Sequence, residues 1–142
     1  MNDADLSQQL SYLIARVNRM IEDDLARRLQ PGGLAIEHFR ILKALEQDRP
    51  LPMGELAARI LVEPATLTKI IDRMISDGLV FRLPDPNDRR RVLVSLTPAG
   101  EATCRDLLSI GKEHEEHILH ALSGKDVQHI RRIFSELKLE TR

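Results

Sequence analysis

The chain has no tryptophan, few aromatics, one cysteine and no surplus of positive charge. Each shortage excludes something. A single cysteine, Cys104, rules out an intramolecular disulfide and suits a reducing cytoplasm. A formal net charge of −1 provides no global basic field, so any nucleic-acid role has to rest on local clusters. No apolar run approaches the ~18 residues of a membrane span. The start, Met1 to Asp5, is polar and acidic, without the basic and apolar regions of a signal peptide. There is no glycine-rich phosphate cradle, no Ser-His-Asp ordering and no activated-cysteine context, so nothing nominates an enzyme reaction or a cofactor. Neither an internal repeat nor a low-complexity tail is present. The 142 residues suffice for one domain with a real core, not for two large ones.

What is present is a charged, helix-forming composition, and it predicts a mostly α-helical protein. Residues 6–29 read as one long amphipathic helix, with Leu6, Leu10, Leu13, Ile14, Val17, Ile21 and Leu25 at three- and four-residue steps. "QPGG" at 30–33 ends it. A second helix is expected from Ile36 to Gln47, with Phe39, Leu42 and Leu45 inward, followed by an extended connector over 48–52. A short helix, Met53–Leu61, and a longer one, 64–77, flank the break "LVEP". Pro64 suits a first helical turn, where its missing N–H is not needed. Leu67, Ile70, Ile71, Met74 and Ile75 make a full apolar stripe, and Gly78 suits a left-handed cap. Small Ala57 and Ala58 allow the two helices to cross closely, which is a helix-turn-helix pattern.

A strand over 79–83, a turn cluster "PDPND" at 84–88 and an alternating strand over 92–96 then form a hairpin. A hairpin directly after a helix-turn-helix is a winged helix. Thr97 and Pro98 cap and open another helix, to about Leu122 with a weaker period interrupted near Gly111, and "SGKD" at 123–126 starts a last one.

Two features point to DNA. On helix 64–77, Thr66, Lys69 and Arg73 lie opposite the apolar stripe, with Thr68 and Asp72 beside them. Hydroxyls and long cations on a helix whose other side is buried fit a major groove. At the hairpin tip stands Arg89-Arg90-Arg91, preceded by Asp88. Arginine keeps its charge and is weakly hydrated, which suits the negative potential of a narrow minor groove. A neighbouring carboxylate fixes the guanidinium direction and lowers the entropy cost of binding. Taken singly, each feature also reads as solvated surface, with any exposed ion pair worth ~0–1 kcal/mol. The combination favours DNA.

The order of elements, with "LAARILVEPATLTKIIDRMISDGLV" at 56–80 and "PNDRRRVLVSLTPAG" at 86–100, resembles the multiple antibiotic resistance regulator (MarR) family. The second stretch is similar to that family's wing signature, Asp-x-Arg, alternating apolar residues, then Leu-Thr-x-x-Gly. The resemblance spans nearly the whole chain. It implies a mostly α fold with a small β-hairpin wing, a winged helix-turn-helix (36–97) embedded in a helical dimerisation region (6–30 and 98–142), within one domain, 1–142. It implies that Arg90 enters the minor groove, Asp88 orients it, and Arg89 and Arg91 contact phosphate. Lys69 falls at a groove-contacting position, and Pro64, Ala65, Thr66 and Thr68 at base- and backbone-facing ones. Two departures are visible. Glu63 stands where Ser, Thr or Asp commonly caps, and "ILVEP" lacks the turn glycine many relatives carry.

The end helices have more apolar face than a winged helix covers, which suits burial against each other and a second copy. The resemblance implies such a homodimer, binding double-stranded DNA at a near-palindromic operator in successive major grooves about 34–36 Å apart. The family resemblance implies a repressor released by a small, anionic aromatic effector, near Arg16, His38 or the helix junctions. A zinc-responsive alternative draws on Glu37, His38, His114 and His117, since imidazole with carboxylate suits zinc. Cys104 reads more simply as a small core residue than as an oxidant sensor. A winged helix that binds a partner protein is the remaining alternative, and the arginine triplet argues against it.

Overall fold

The computed structural model describes residues 5–140, so residues 1–4 of the polar amino terminus and 141–142 of the carboxyl-terminal region lie outside it. In chain order the elements are α1 (Leu10–Leu29), α2 (Ile36–Gln47), β1 (Leu51–Pro52), α3 (Met53–Ile60), α4 (Pro64–Ser76), β2 (Val80–Asp85), β3 (Asp88–Leu96), α5 (Pro98–His120) and α6 (Gly124–Glu136). The mostly α architecture with a small β wing is as expected. The first helix is not continuous from residue 6. Leu6–Gln8 is a separate 3-10 turn, closed by the Asp5 carboxylate accepting from Ser7 N–H, and Gln9 is extended before α1 begins.

The core gathers under α4. Leu67, Ile71 and Met74 are almost completely buried, against Ile41, Leu42 and Leu45 of α2, Leu56 and Ile60 of α3, and Val80, Val94 and Leu96 of the sheet. Each such side chain contributes on the order of 1.5–3 kcal/mol relative to exposure. Ile70 and Ile75, at the stripe's margins, are partly buried against the same cluster. At the helix crossing only Ala57 is buried; Ala58 faces outward.

The α3–α4 turn manages without glycine because Leu61 itself takes the left-handed conformation (φ 64°), its side chain exposed. Val62 N–H donates to the Ala57 carbonyl at 3.1 Å and closes the turn. After α4, Gly78 is left-handed at φ +77°. Its N–H donates to Ile75 O and that of Leu79 to Met74 O, at 2.9 and 3.0 Å, the paired bonds of a glycine-closed helix end.

The sheet has three antiparallel strands in the order β1-β3-β2. The connector over 48–52 therefore supplies a short strand that its sequence, too brief for a period, does not announce. The hairpin strands are also longer than their apolar pattern. Pro84 and Asp85 belong to β2, where Pro84 is tolerated because β2 is an edge strand. The register shifts between Pro84 and Asp85: Pro84 pairs with Val92, but Asp85 pairs with Asp88. The residues passed over on β3 are Arg89, Arg90 and Arg91.

The Leu-Thr-x-x-Gly segment joins wing to α5 through one compact set of contacts. Thr97 Oγ1 accepts from Gly100 N–H at 3.0 Å and donates to Gly78 O at 2.6 Å, while Thr97 N–H donates to Leu79 O at 3.1 Å. A Cβ on Gly100 would collide with the Leu79 carbonyl. The α5 helix then runs unbroken through Gly111, which marks a close approach of the Phe39 ring rather than an interruption. No helix among the described residues is long and apolar enough to cross a membrane.

Gly100→Ala is expected to lower stability by about 1–3 kcal/mol, since backbone rather than a flexible side chain must yield. Leu61→Gly, at an exposed left-handed position, should leave stability unchanged or slightly raised. Urea unfolding at fixed protein concentration checks both; a silent Gly100→Ala would refute the close approach.

Candidate nucleic-acid interface

Burial of Leu67, Ile71 and Met74 leaves Pro64, Ala65, Thr66, Thr68, Lys69 and Arg73 on the exposed side of α4. Thr68 Oγ1 donates to the Pro64 carbonyl at 3.1 Å, so Thr66 is the freer of the two hydroxyls. Lys69 has no ion-pair partner among the described residues. Arg73 is exposed and lies 3.6 Å from Asp77. Glu63, at the cap position, makes no side-chain capping bond. The α4 amino-terminal N–H groups are thus left for an anion, which a helix start favours.

The wing is tied to α4 by a contact that the sequence does not reveal. Arg82 of β2 donates to Asp72 of α4 at 2.6 Å, across ten residues and two elements. Asp72 is therefore a strut between helix and wing.

The three wing arginines differ. Asp88 Oδ1 accepts from Arg90 N–H at 3.0 Å and lies 3.7 Å from Arg90 Nε, with the Arg90 side chain 94% exposed. One carboxylate holds both the backbone and the guanidinium of the same residue. Arg91 lies 3.7 Å from Asp85, a nearly buried acid that also accepts from Asn87 N–H at 2.8 Å and so shapes the turn. Arg89 has no ion-pair partner among the described residues. Asp85 is hidden in the turn cluster of the sequence; only the strand register shows that it faces inward.

The family model of the MarR family matches residues 34–92, which contain α2 through most of the wing. The multiple antibiotic resistance protein MarR of Escherichia coli K12 is 31% identical over 119 residues, 83% of each chain. The chain belongs to the MarR family. It is a winged helix-turn-helix DNA-binding regulator of transcription, not an enzyme. The transcriptional repressor IacR of Pseudomonas putida is 27% identical over 122 residues, 86% of this chain and 73% of IacR. A solved structure of an E. coli MarR mutant in complex with operator DNA superposes with a TM-score of 0.82 at 30% identity, covering 89% of this chain and 91% of that one.

Away from α4 and the wing, the candidate sensor residues of this MarR-family chain separate. His38 Nδ1 accepts from Ala35 N–H at 3.0 Å and caps α2, with Glu37 in the same first turn. Arg16 is exposed on α1, 4.0 Å from Met20 Sδ. His114 and His117 of α5 instead meet Asp24 of α1, at 2.7 and 3.0 Å from Nδ1. Arg28 Nε donates to the same carboxylate at 2.9 Å. No group of three His, Cys, Asp or Glu among the described residues is disposed to hold a metal ion. Cys104 is buried, its Sγ donating to Leu42 O at 3.6 Å, and burial pushes its thiol up, as suits a core residue. Between α2 and α5 lies a cavity of about 540 Å³, mostly apolar, lined by Phe39, Leu42, Cys104, Leu107 and Gly111, with Lys43, Lys112 and His114 among its polar groups. Neither Arg16 nor His38 lines it.

The Arg28 guanidinium, followed by His114, holds the Asp24 carboxyl well below the usual 3.8. A carboxyl held low in the fold adds stability above its unfolded value, and that stability is lost as pH falls through the folded one. Asp24→Ala should therefore cost about 2 kcal/mol at neutral pH, by removing hydrogen bonds to a charged group. The difference from wild type should narrow below about pH 4. Urea midpoints across pH check this; a gap that stays constant down to pH 3 would contradict it.

Proposed function

We propose that the chain acts as a homodimeric repressor on a near-palindromic operator, released when a small anionic aromatic compound enters the α2–α5 cavity. The observation that carries the DNA-binding part is Arg90. It projects almost wholly into solvent from a register shift, with Asp88 aiming it. On this reading Arg90 enters the minor groove, Arg89 and Arg91 grip phosphate, and Thr66, Lys69 and Arg73 face the major groove from α4, whose first turn (Pro64, Ala65) lies against the backbone. The similarity to E. coli MarR, whose mutant is solved on operator DNA, supports this arrangement. The name of IacR supports the sign of regulation.

The dimer is supported by apolar surface at the two ends of the chain. Leu6, Leu10, Ile14 and Val17 and, on and just after α6, Ile133, Phe134 and Leu137 are all exposed in the single chain, and α6 buries no residue at all. Monomeric proteins rarely expose such faces. Residues 6–30 and 98–142 then form the dimerisation region around the winged helix of 36–97. The cavity, at the junction of these regions, is where a ligand has leverage on both.

A gel shift on the promoter of the chain's own gene tests the reading. Arg90→Ala and Lys69→Ala should each weaken binding by about 1–3 kcal/mol for each protomer's contact, about five- to 150-fold per contact. Removing a cation that grips phosphate, as in Arg89→Ala, should reduce the salt slope by roughly two, one contact being lost from each protomer. Wild-type affinity in both Arg90→Ala and Lys69→Ala would overturn the assignment.

A further inference from the structure

His114 stands where the Asp24 cluster meets the α2–α5 cavity. It lines the cavity, and it is otherwise buried. Its Nδ1 is engaged with Asp24 Oδ2 at 2.7 Å. Asp24 also accepts from Arg28 and His117, and Arg28 holds it ionised. An ionised carboxylate only accepts, so the proton in that bond sits on His114 Nδ1. The other ring nitrogen, Nε2, has no hydrogen-bond partner among the described residues. Yet no fully buried side-chain nitrogen or oxygen among the described residues lacks one. Nε2 therefore retains open space, and the space that His114 lines is the cavity.

A neutral imidazole protonated at Nδ1 presents a lone pair at Nε2. That lone pair accepts from a neutral N–H or O–H, but it repels a carboxylate or phenolate. An anion makes a hydrogen bond there only if one proton is added from solvent to Nε2 or to the ligand. The surroundings favour the anion. Of the acids lining the cavity, Glu46 is paired with Lys43 at 3.7 Å and Glu115 with Arg131 at 3.2 Å, while Lys112 has no ion-pair partner among the described residues. The charged groups around His114 are Asp24, Arg27 and Arg28 from α1, Lys43 and Glu46 from α2, and Lys112, Glu113, Glu115 and His117 from α5, with Arg27 3.5 Å from Asp24. His117 shares Asp24, but it is largely exposed and does not line the cavity.

We propose that His114, oriented by Asp24, makes ligand binding in this cavity proton-linked: an anionic ligand is taken up together with one proton at the His114 Nε2 contact, and a neutral isostere is not. The proton adds attraction between His114 and Asp24, so the ligand's charge is passed to the α1–α5 junction. This rests on the cavity being the effector site.

Benzoate and its neutral isostere benzamide, titrated into the full-length protein by calorimetry in buffers of different ionisation heat, test it. Benzoate should bind with uptake of close to one proton at pH 8, its affinity falling about tenfold per pH unit there, as the linkage relation requires. Benzamide should bind without uptake. His114→Gln should keep benzamide and lose the uptake with benzoate; His117→Gln should keep both. Benzoate binding to wild type without proton uptake, or uptake that survives in His114→Gln, overturns the role of His114 and leaves the cavity standing. Failure of both probes to bind, or unchanged binding to Leu108→Trp, which adds bulk at a further residue lining the cavity, overturns the cavity reading and the inference with it.

Discussion

The close contact at Gly78, Leu79, Thr97 and Gly100 is the constraint on which the rest of this molecule depends. Four residues end α4, start the first wing strand and start α5 at one point. The left-handed turn at Gly78 sends the chain back, and the Thr97 hydroxyl bridges the Gly78 carbonyl to the Gly100 amide. The Leu79 carbonyl occupies the place a side chain at residue 100 would need. Helix α4, the wing and the long α5 are therefore set relative to one another by backbone contacts, which bend little. A change felt along α5 has a short and stiff route to α4.

The wing shows how a nearly neutral protein concentrates charge for a polyanion. A shifted register lets β3 carry three arginines past the ladder, and two acids then make them unequal. Asp88 takes hold of Arg90 by backbone and side chain while leaving its guanidinium in solvent. Asp85, turned inward, shapes the turn and restrains Arg91. Arg82 and Asp72 brace the wing against α4. Exposed ion pairs of this kind add little stability. Their value is geometric, since they limit the directions in which long flexible cations point before DNA is met.

The polar cluster around Asp24 works differently. Asp24 and His114 at its centre are shielded, they join helices across ninety residues of sequence, and His114 abuts the apolar cavity between α2 and α5. Shielding strengthens each hydrogen bond and raises the cost of leaving any of them unmade. This junction is thereby both a strong contact and one sensitive to an added charge.

Local pattern is enough for much of the molecule. The apolar stripe of α4, the Gly78 cap, the Thr97-Pro98 start and the position of the arginines are all legible, because each depends on residues within a turn or two of one another. The same locality explains the resemblance to the MarR family, whose signature lies in just those segments. What escapes is everything that joins distant segments. The two-residue strand β1 has no period to read and exists only because β3 offers it partners. Gly111 reads as a break because its neighbour, Phe39, comes from another helix. His114 and His117 read as candidates for zinc, since nothing nearby in sequence shows that α1 brings a carboxylate to them. Sequence alone determined which faces are apolar and where the chain turns, through backbone preference and periodicity. Only the tertiary structure decided which charges meet, because a carboxylate's partner depends on which helices pack together and not on its neighbours along the chain.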